Sequence, residues 1–186
     1  MISVKRATVE DHRPIVAIGK VPVAEAHRES TSAENLNEYL EKNYNDHAIR
    51  EELAEPNNIY HIISYNGSPV GFSKIILNVK EPGIKAENVT KLDRIYLLKE
   101  FYGLKLGLEL LNFNIGVARK NKQSGIWLYT WIGNSRAIDF YGKTGFTIIG
   151  SHKFYVTETY YNLNHLMFLD LGETSAPVAV STNQNQ

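Results

Sequence analysis

Between Arg94 and Gly107 the chain reads Arg-Ile-Tyr-Leu-Leu-Lys-Glu-Phe-Tyr-Gly-Leu-Lys-Leu-Gly, an apolar run that passes through a glycine-bearing turn into a long amphipathic stretch. A helix N-terminus presents unpaired backbone N–H groups and a partial positive charge, so glycines placed there let a phosphate approach the backbone closely. Gly103 and Gly107 open this turn and Lys105 adds a full positive charge; an ordinary strand-to-helix connection would account for the same residues. A second segment, Asn134 to Phe146, reads Asn-Ser-Arg-Ala-Ile-Asp-Phe-Tyr-Gly-Lys-Thr-Gly-Phe, a capped short helix that ends at Gly145 and is followed by a strand. Other chemistries find less support. Cysteine is absent, which removes thiolate nucleophiles, thiolate metal sites and disulfides, and no two of the six histidines fall at i, i+4 to join a carboxylate as ligands, so no metal is expected.

The elements that must position these residues follow from periodicity. Ile2 to Arg6 alternates as a half-buried strand, and Thr8 is placed to cap a helix behind it. From Pro22 to Pro56 the pattern predicts two short helices, with Ser32 as a start signal and Leu36, Tyr39, Leu40 and Tyr44 at helical spacing. Asn58 to Tyr65 and Pro69 to Val79 flank Asn66-Gly67 and predict a hairpin. A loop follows over 80–86, then a strand from Val89 to Leu98. Leu104, Leu108, Leu111, Ile115 and Ala118 mark one face of a helix reaching Lys122. Gly125 to Trp131 is a strand, Asn134 caps a helix to Thr144, and Phe146 to Val156 and Leu163 to Leu171 read as closing strands. Gly172 to Gln186 lacks apolar periodicity and reads as a disordered tail. A single mixed α/β domain over 1–171 is the expectation.

At 186 residues, 43% hydrophobic and 22% charged, the chain has material for one core, which excludes disorder over most of its length. Its net charge is zero, so there is no global positive field for a nucleic-acid backbone, and no run approaches the ~18 apolar residues of a membrane span. A cytoplasmic protein with no nucleic-acid or membrane partner is expected. The charge is nonetheless uneven. Glu25 to Glu55 holds nine acids against three bases, whereas Pro56 to Lys153 holds thirteen bases against six acids. That polarity permits an anionic ligand in the second region and a cationic one near the first; solvated helix faces give the same count.

The complete run from Asn134 to Phe146 resembles the GNAT family of acetyl-coenzyme A-dependent N-acetyltransferases, whose helix reads Asn-x-x-Ala-x-x-Phe-Tyr-x-Lys-x-Gly-Phe. The order of predicted elements is similar to that family over residues 1–171. The resemblance implies a strongly twisted mixed central sheet with helices on both faces, a fold of mixed α+β type. Arg94-Ile95-Tyr96, Ile126-Trp127-Leu128 with Trp131, the helix containing Ala137 to Tyr141, and Gly150 to Tyr155 look like the PaiA-type spermidine/spermine acetyltransferases. One departure stands out. Aligned on the family's Gln/Arg-x-x-Gly-x-Gly/Ala turn, Tyr102 replaces the Gln/Arg and Lys105 the central glycine, while Gly107 keeps the last position. Because backbone amides make the cradle, Lys105 is expected to serve there with ordinary helical dihedral angles.

By that resemblance, acetyl-coenzyme A is the cofactor. It is held by the backbone around Tyr96, Leu97 and Leu98, by the turn Tyr102, Gly103, Leu104, Lys105, Leu106, Gly107 and Leu108, and by Asn134, Ala137, Tyr141 and Lys143. The resemblance implies Tyr141 as the acid for the coenzyme A thiolate; a core aromatic is the other reading. Asp93 is implied as a carboxylate that takes the amine's proton directly or through water, and equally reads as a partner for Arg94 or Lys91. The acceptor is a small-molecule primary amine, and the PaiA likeness with the acids at Glu34, Glu38 and Glu41, spaced i, i+4 and i+7, points to a polyamine. Glu25 and Glu29 form a second, shorter pair. A protein N-terminus, an amino acid or an antibiotic amine are alternative acceptors, and a coenzyme A-binding regulatory protein without turnover is the alternative activity. Closing strands in this fold often pair between subunits, so a homodimer is expected.

Overall fold

The computed structural model describes residues 1–27, 31–155 and 160–172. Along the chain run β1 (Ile2–Arg6), α1 (His12–His27), α2 (Ala33–Asn43), α3 (Asp46–Ala54), β2 (Asn58–Tyr65), β3 (Ser68–Ile76) and β4 (Val89–Leu97). Then come α4 (Leu106–Lys120), β5 (Gly125–Trp131), α5 (Ser135–Lys143), β6 (Thr147–Tyr155) and β7 (Tyr161–Asp170). The seven strands form one sheet in the order β1-β2-β3-β4-β5-β7-β6. Every neighbouring pair is antiparallel except β4 with β5.

Local chemistry explains the register. Asn66 and Gly67 take positive φ, 50° and 86°, the backbone of a tight turn whose twist suits a hairpin, and they bring Tyr65 opposite Ser68. In β2 the side chains alternate between two cores. Tyr60 and Ile62 meet Phe72 and the helices α1 to α3, while Ile59 and Ile63 face the opposite layer with Leu106, Leu110 and Leu111 of α4 and Tyr141 of α5. Helices therefore cover both faces of a mixed sheet. On the first face, Val79 to Ala86 also folds over β5, where Trp127 Nε1 donates to the Val79 carbonyl at 2.8 Å.

Several boundaries differ from those that periodicity predicts. Thr8 opens only a turn of 3₁₀ helix, Val9–Asp11, closed by its own backbone N–H donating to Asp11 Oδ2 at 3.0 Å. The region read as two helices from Pro22 holds α2 and α3, and α1 runs on through Pro22 to His27. Proline removes one backbone donor, but burial of Pro22 and Val23 beside Ile18 carries the helix past it. β3 stops at Ile76, and α4 begins at Leu106 rather than Leu104. Among the described residues no helix is long and apolar enough to cross a membrane. Arg28, Glu29, Val156 and the tail from Glu173 onward lie outside the described residues.

Candidate active site

β4 and β5 pair only from Val89 to Lys91 against Gly125 to Trp127. Beyond that register the strands part, and the gap between Leu92–Leu97 and Leu128–Trp131 is a cleft of about 470 Å³. A parted strand pair leaves backbone donors and acceptors facing the gap, a template on which an extended ligand can lie as an added strand. Leu97, whose other edge pairs with Gly71, and Tyr96 both line this gap. The Leu98 N–H is directed away, donating to the Val70 carbonyl at 2.9 Å, so Leu98 closes the strand rather than the cleft.

The turn after β4 forms one end of the cleft. Gly103 has φ 81° and Lys105 φ 59°, ψ 12°. Lys105 is therefore left-handed, a correction to the helical angles expected of it: the chain reverses into α4 at a position where glycine is the unstrained residue. The first bond of α4 runs from Glu109 N–H to the Lys105 carbonyl at 3.0 Å, so the N–H groups of Leu106, Gly107 and Leu108 precede the helical ladder, and no side chain caps them. Their side chains do other work. Leu106 is wholly buried with Ile63, Val70 and Leu110, whereas Leu104 is exposed. At Gly107 a Cβ would meet only the Phe140 ring at 3.9 Å, so the backbone is open to the cleft. An anion with several oxygens fits this end, and an extended amide-bearing chain fits the parted strands.

The opposite wall is α5. Asn134 caps it, its side chain accepting from Ala137 N–H at 3.1 Å, and both residues line the cleft. Lys143 does not; it is exposed in the last turn, removed from the cleft it was expected to serve. A cation the sequence did not single out takes that part: the Arg136 guanidinium stacks 3.5 Å from the Tyr102 ring centroid beside the turn. Tyr141 is 8% exposed, packed against Phe140 and Phe146, and lines the cleft across from Tyr96. Burial pushes the Tyr141 phenol well above its usual range, and Tyr96 adds to the effect, so Tyr141 stays protonated and keeps a hydroxyl hydrogen to donate.

A second cavity of about 780 Å³ lies under α2 and shares Asp93, Arg94, Tyr96, Trp131 and Asn164 with the cleft. Its floor is a charged network. Arg94 donates through both terminal nitrogens to Glu52, at 3.0 and 3.2 Å, and to the Tyr60 hydroxyl at 2.8 Å. Lys74 bridges Glu52 at 2.7 Å and Asp93 at 3.3 Å, and Lys91 reaches Asp93 at 2.7 Å. Asp93 stands at a bulge, between the Arg94–Lys74 and Leu92–Ile75 pairs, which turns it into this cluster. Desolvation would raise its pKa, but Lys74, Lys91 and Arg94 outweigh that and hold it below the usual carboxylate range. The same balance lowers Glu52, where Arg94 and Lys74 overcome desolvation. A carboxylate held this low is a weak proton acceptor, which bears on the expectation that Asp93 takes the amine's proton directly or through water.

The acidic row of α2 is divided. Glu38 lines the second cavity, Glu34 is exposed outside it, and Glu41 pairs with Lys20 at 2.9 Å. The buried pair of faces set by Leu36 and Leu40 rotates the other two carboxylates away. Glu25 lines the cleft between β4 and β5 instead, and Glu29 lies outside the described residues. Two buried polar atoms on the second cavity's lining residues, Thr31 Oγ1 and Asn164 Oδ1, have no hydrogen-bond partner among the described residues. Among the described residues no group of three or more His, Asp or Glu stands close enough to hold a metal ion.

Residues 12–146 match the acetyltransferase (GNAT) family. An uncharacterized N-acetyltransferase in the pepI 3′ region of Lactobacillus delbrueckii subsp. lactis is 26% identical over 153 residues, 82% of this chain and 88% of that protein. The crystal structure of the PaiA N-acetyltransferase from Thermoplasma acidophilum in complex with coenzyme A superposes with TM-score 0.73 at 17% identity, covering 91% of this chain and 99% of that one. The structure of yncA, described as a putative acetyltransferase from Salmonella typhimurium with its cofactor acetyl-CoA, gives 0.63 at 18% identity, covering 96% and 99%. These likenesses establish the fold.

Proposed function

The chain belongs to the acetyltransferase (GNAT) family, and on that premise we propose that it transfers acetyl from acetyl-coenzyme A directly to a small primary amine. The observation that carries this reading is the parting of β4 from β5 over an open helix N-terminus, with Tyr141 set across the gap from Tyr96. The N–H groups of Leu106, Gly107 and Leu108, with Lys105 and Arg136 nearby, hold the diphosphate. The β4 edge at Tyr96 and Leu97 takes the pantetheine arm as an added strand. Asn134 and Ala137 shape the wall through the cap they share. Acetyl-coenzyme A supplies the activated acetyl thioester.

The acceptor enters through the cavity under α2 and must reach the cleft unprotonated. The cations around Asp93 disfavour an ammonium there, so the amine sheds its proton to solvent in the open cavity and attacks as the free base. As the new C–N bond forms and the C–S bond breaks, Tyr141 donates its hydroxyl hydrogen to the departing sulfur and the nitrogen of the new amide gives up its surplus proton to solvent, from which the phenol regains its own, leaving amide and free thiol. Asp93 holds Lys74 and Lys91 in place rather than taking the proton itself. The polyamine reading retains Glu38 alone of its three carboxylates, so the acceptor is assigned here as a primary amine. A homodimer is proposed on one feature: the edge strand β6 is exposed along its length, with Ile148, Ile149, Phe154 and Tyr155 outward, and sedimentation tests it.

Release of free thiol when acetyl-coenzyme A and a panel of amines are mixed with the protein tests the activity. Thiol release that depends on both is expected. Tight binding of acetyl-coenzyme A with no release for any amine would instead make the protein a coenzyme A-binding regulator.

A further inference from the structure

The network beneath the second cavity does not balance its own charge. Among the described residues three cations, Lys74, Lys91 and Arg94, face two carboxylates, Glu52 and Asp93. The side chains of Lys74 and Arg94 are only 9% and 11% exposed, so the surplus charge is poorly served by water. The other charged residues of the cavity wall among those described, Lys42 and Glu38, offset each other. Arg94 and Lys91 reach the cavity lining, so the surplus is presented to whatever enters.

The opposite wall asks for the reverse. Asn164 Oδ1 is a hydrogen-bond acceptor, buried and without a donor. Asn164 sits on β7 opposite Trp131, and both border the cleft as well as the cavity, where the two spaces meet. A donor belongs there. Thr31 Oγ1 on the α2 side is a second polar atom awaiting a partner.

We propose that the acceptor is a small amine that also carries a carboxylate, as an amino acid or a short peptide does, its anion bound at Lys91 and Arg94 and its amine N–H directed to Asn164 Oδ1. This rests on the acetyl-transfer reading above. The cofactor does not supply the missing anion, because its phosphates belong at the α4 N-terminus, past the far end of β4, and the pantetheine arm beside Arg94 is uncharged. A polycation would place a second ammonium next to the surplus positive charge, whereas an amino acid meets both walls at once. Asn164 and Lys91 are thereby positioning residues for acceptor choice.

The test is a set of matched amines, each as free carboxylate and as carboxamide, for example glycylglycine and glycylglycinamide, with rates referred to the unprotonated amine. In the wild-type protein the carboxylate member should show kcat/KM at least 10-fold higher, chiefly through KM, with the advantage shrinking in high salt. Lys91→Met should reduce that preference several-fold while acetyl-coenzyme A affinity is kept. Equal or better turnover of the carboxamides, or of spermidine, would overturn the proposal and leave acetyl transfer standing. Calorimetric titration of N-acetylglycylglycine and its carboxamide into the protein with coenzyme A bound separates the two failures. Preference for the carboxylate there, with no turnover of any amine, supports the anion site and removes the enzymatic reading; no preference there removes the anion site.

Discussion

Replacing Gly107 with glutamate should weaken acetyl-coenzyme A binding while leaving the protein at least as stable as before. A Cβ at Gly107 meets nothing nearer than the Phe140 ring at 3.9 Å, ordinary van der Waals contact, so the side chain is accommodated in the free protein. The residue lies in the first turn of α4, where a glutamate favours the helix dipole and a non-glycine residue restricts the unfolded chain, together about 0.5–1 kcal/mol. Binding responds in the opposite sense. If the diphosphate sits against the N–H groups of Leu106 to Leu108, the new side chain blocks its approach and adds like-charge repulsion. Losing one or two charge-assisted hydrogen bonds costs about 3 kcal/mol, roughly 100-fold in the dissociation constant. Thermal melting and calorimetry on the same preparation read the two signs separately. A folded Gly107→Glu protein that binds acetyl-coenzyme A with wild-type affinity would remove the turn from the site.

Tyr141→Phe keeps the ring packing against Phe140 and Phe146 and deletes the donor, so kcat should fall about 100-fold with little change in acetyl-coenzyme A affinity; near wild-type turnover would make Tyr141 a core residue only. Lys105→Gly should melt above Lys105→Ala by about 1 kcal/mol, or roughly 2–4 °C, because only glycine relieves the φ of 59°, and equal melting would contradict that backbone. Asp93→Asn should leave the alkaline-rising limb of the rate profile where it is, and a shift of that limb would restore Asp93 as the base. Glu52 and Asp93 have folded pKa values below the ordinary 4.5 and 3.8, so the native state binds fewer protons than the unfolded one near those values. Their stabilisation is present above about pH 4.5 and is lost as pH falls through the lower folded values. Glu52→Gln should flatten this acid limb in urea titrations, and an unchanged slope would contradict the lowered pKa.

The strands and the second half of the molecule were legible because short-range chemistry fixes them. Asn66-Gly67 can adopt two successive positive φ values, and Asn134 caps its helix with its own side chain, so neither element depends on distant packing. The cleft was less legible. That β4 and β5 pair for three residues and then part is a long-range event that no alternation of side chains records. The run of α1 past Pro22 escaped the same reading for a related reason: Pro22 signals a break, and the core around Ile18 and Val23 overrides it. Glu34, Glu38 and Glu41 share a helix face at the level of spacing, but the packing of Leu36 and Leu40 decides which of them meets the cavity. The cluster around Arg94 joins residues from α3, β2, β3 and β4, far apart in the chain, so only the assembled sheet shows that Asp93 is enclosed by cations.

Direct transfer from the cleft to an amine is tested most directly by following a labelled acetyl group. The protein is incubated with labelled acetyl-coenzyme A, separated under denaturing conditions, and compared with a sample that also received an accepted amine. With no cysteine in the chain and Tyr141 kept protonated, the label should remain on coenzyme A until the amine is added and then appear on the amine, with none on the protein. Label covalently held by the protein before the amine arrives, or no transfer to any amine, would contradict the account.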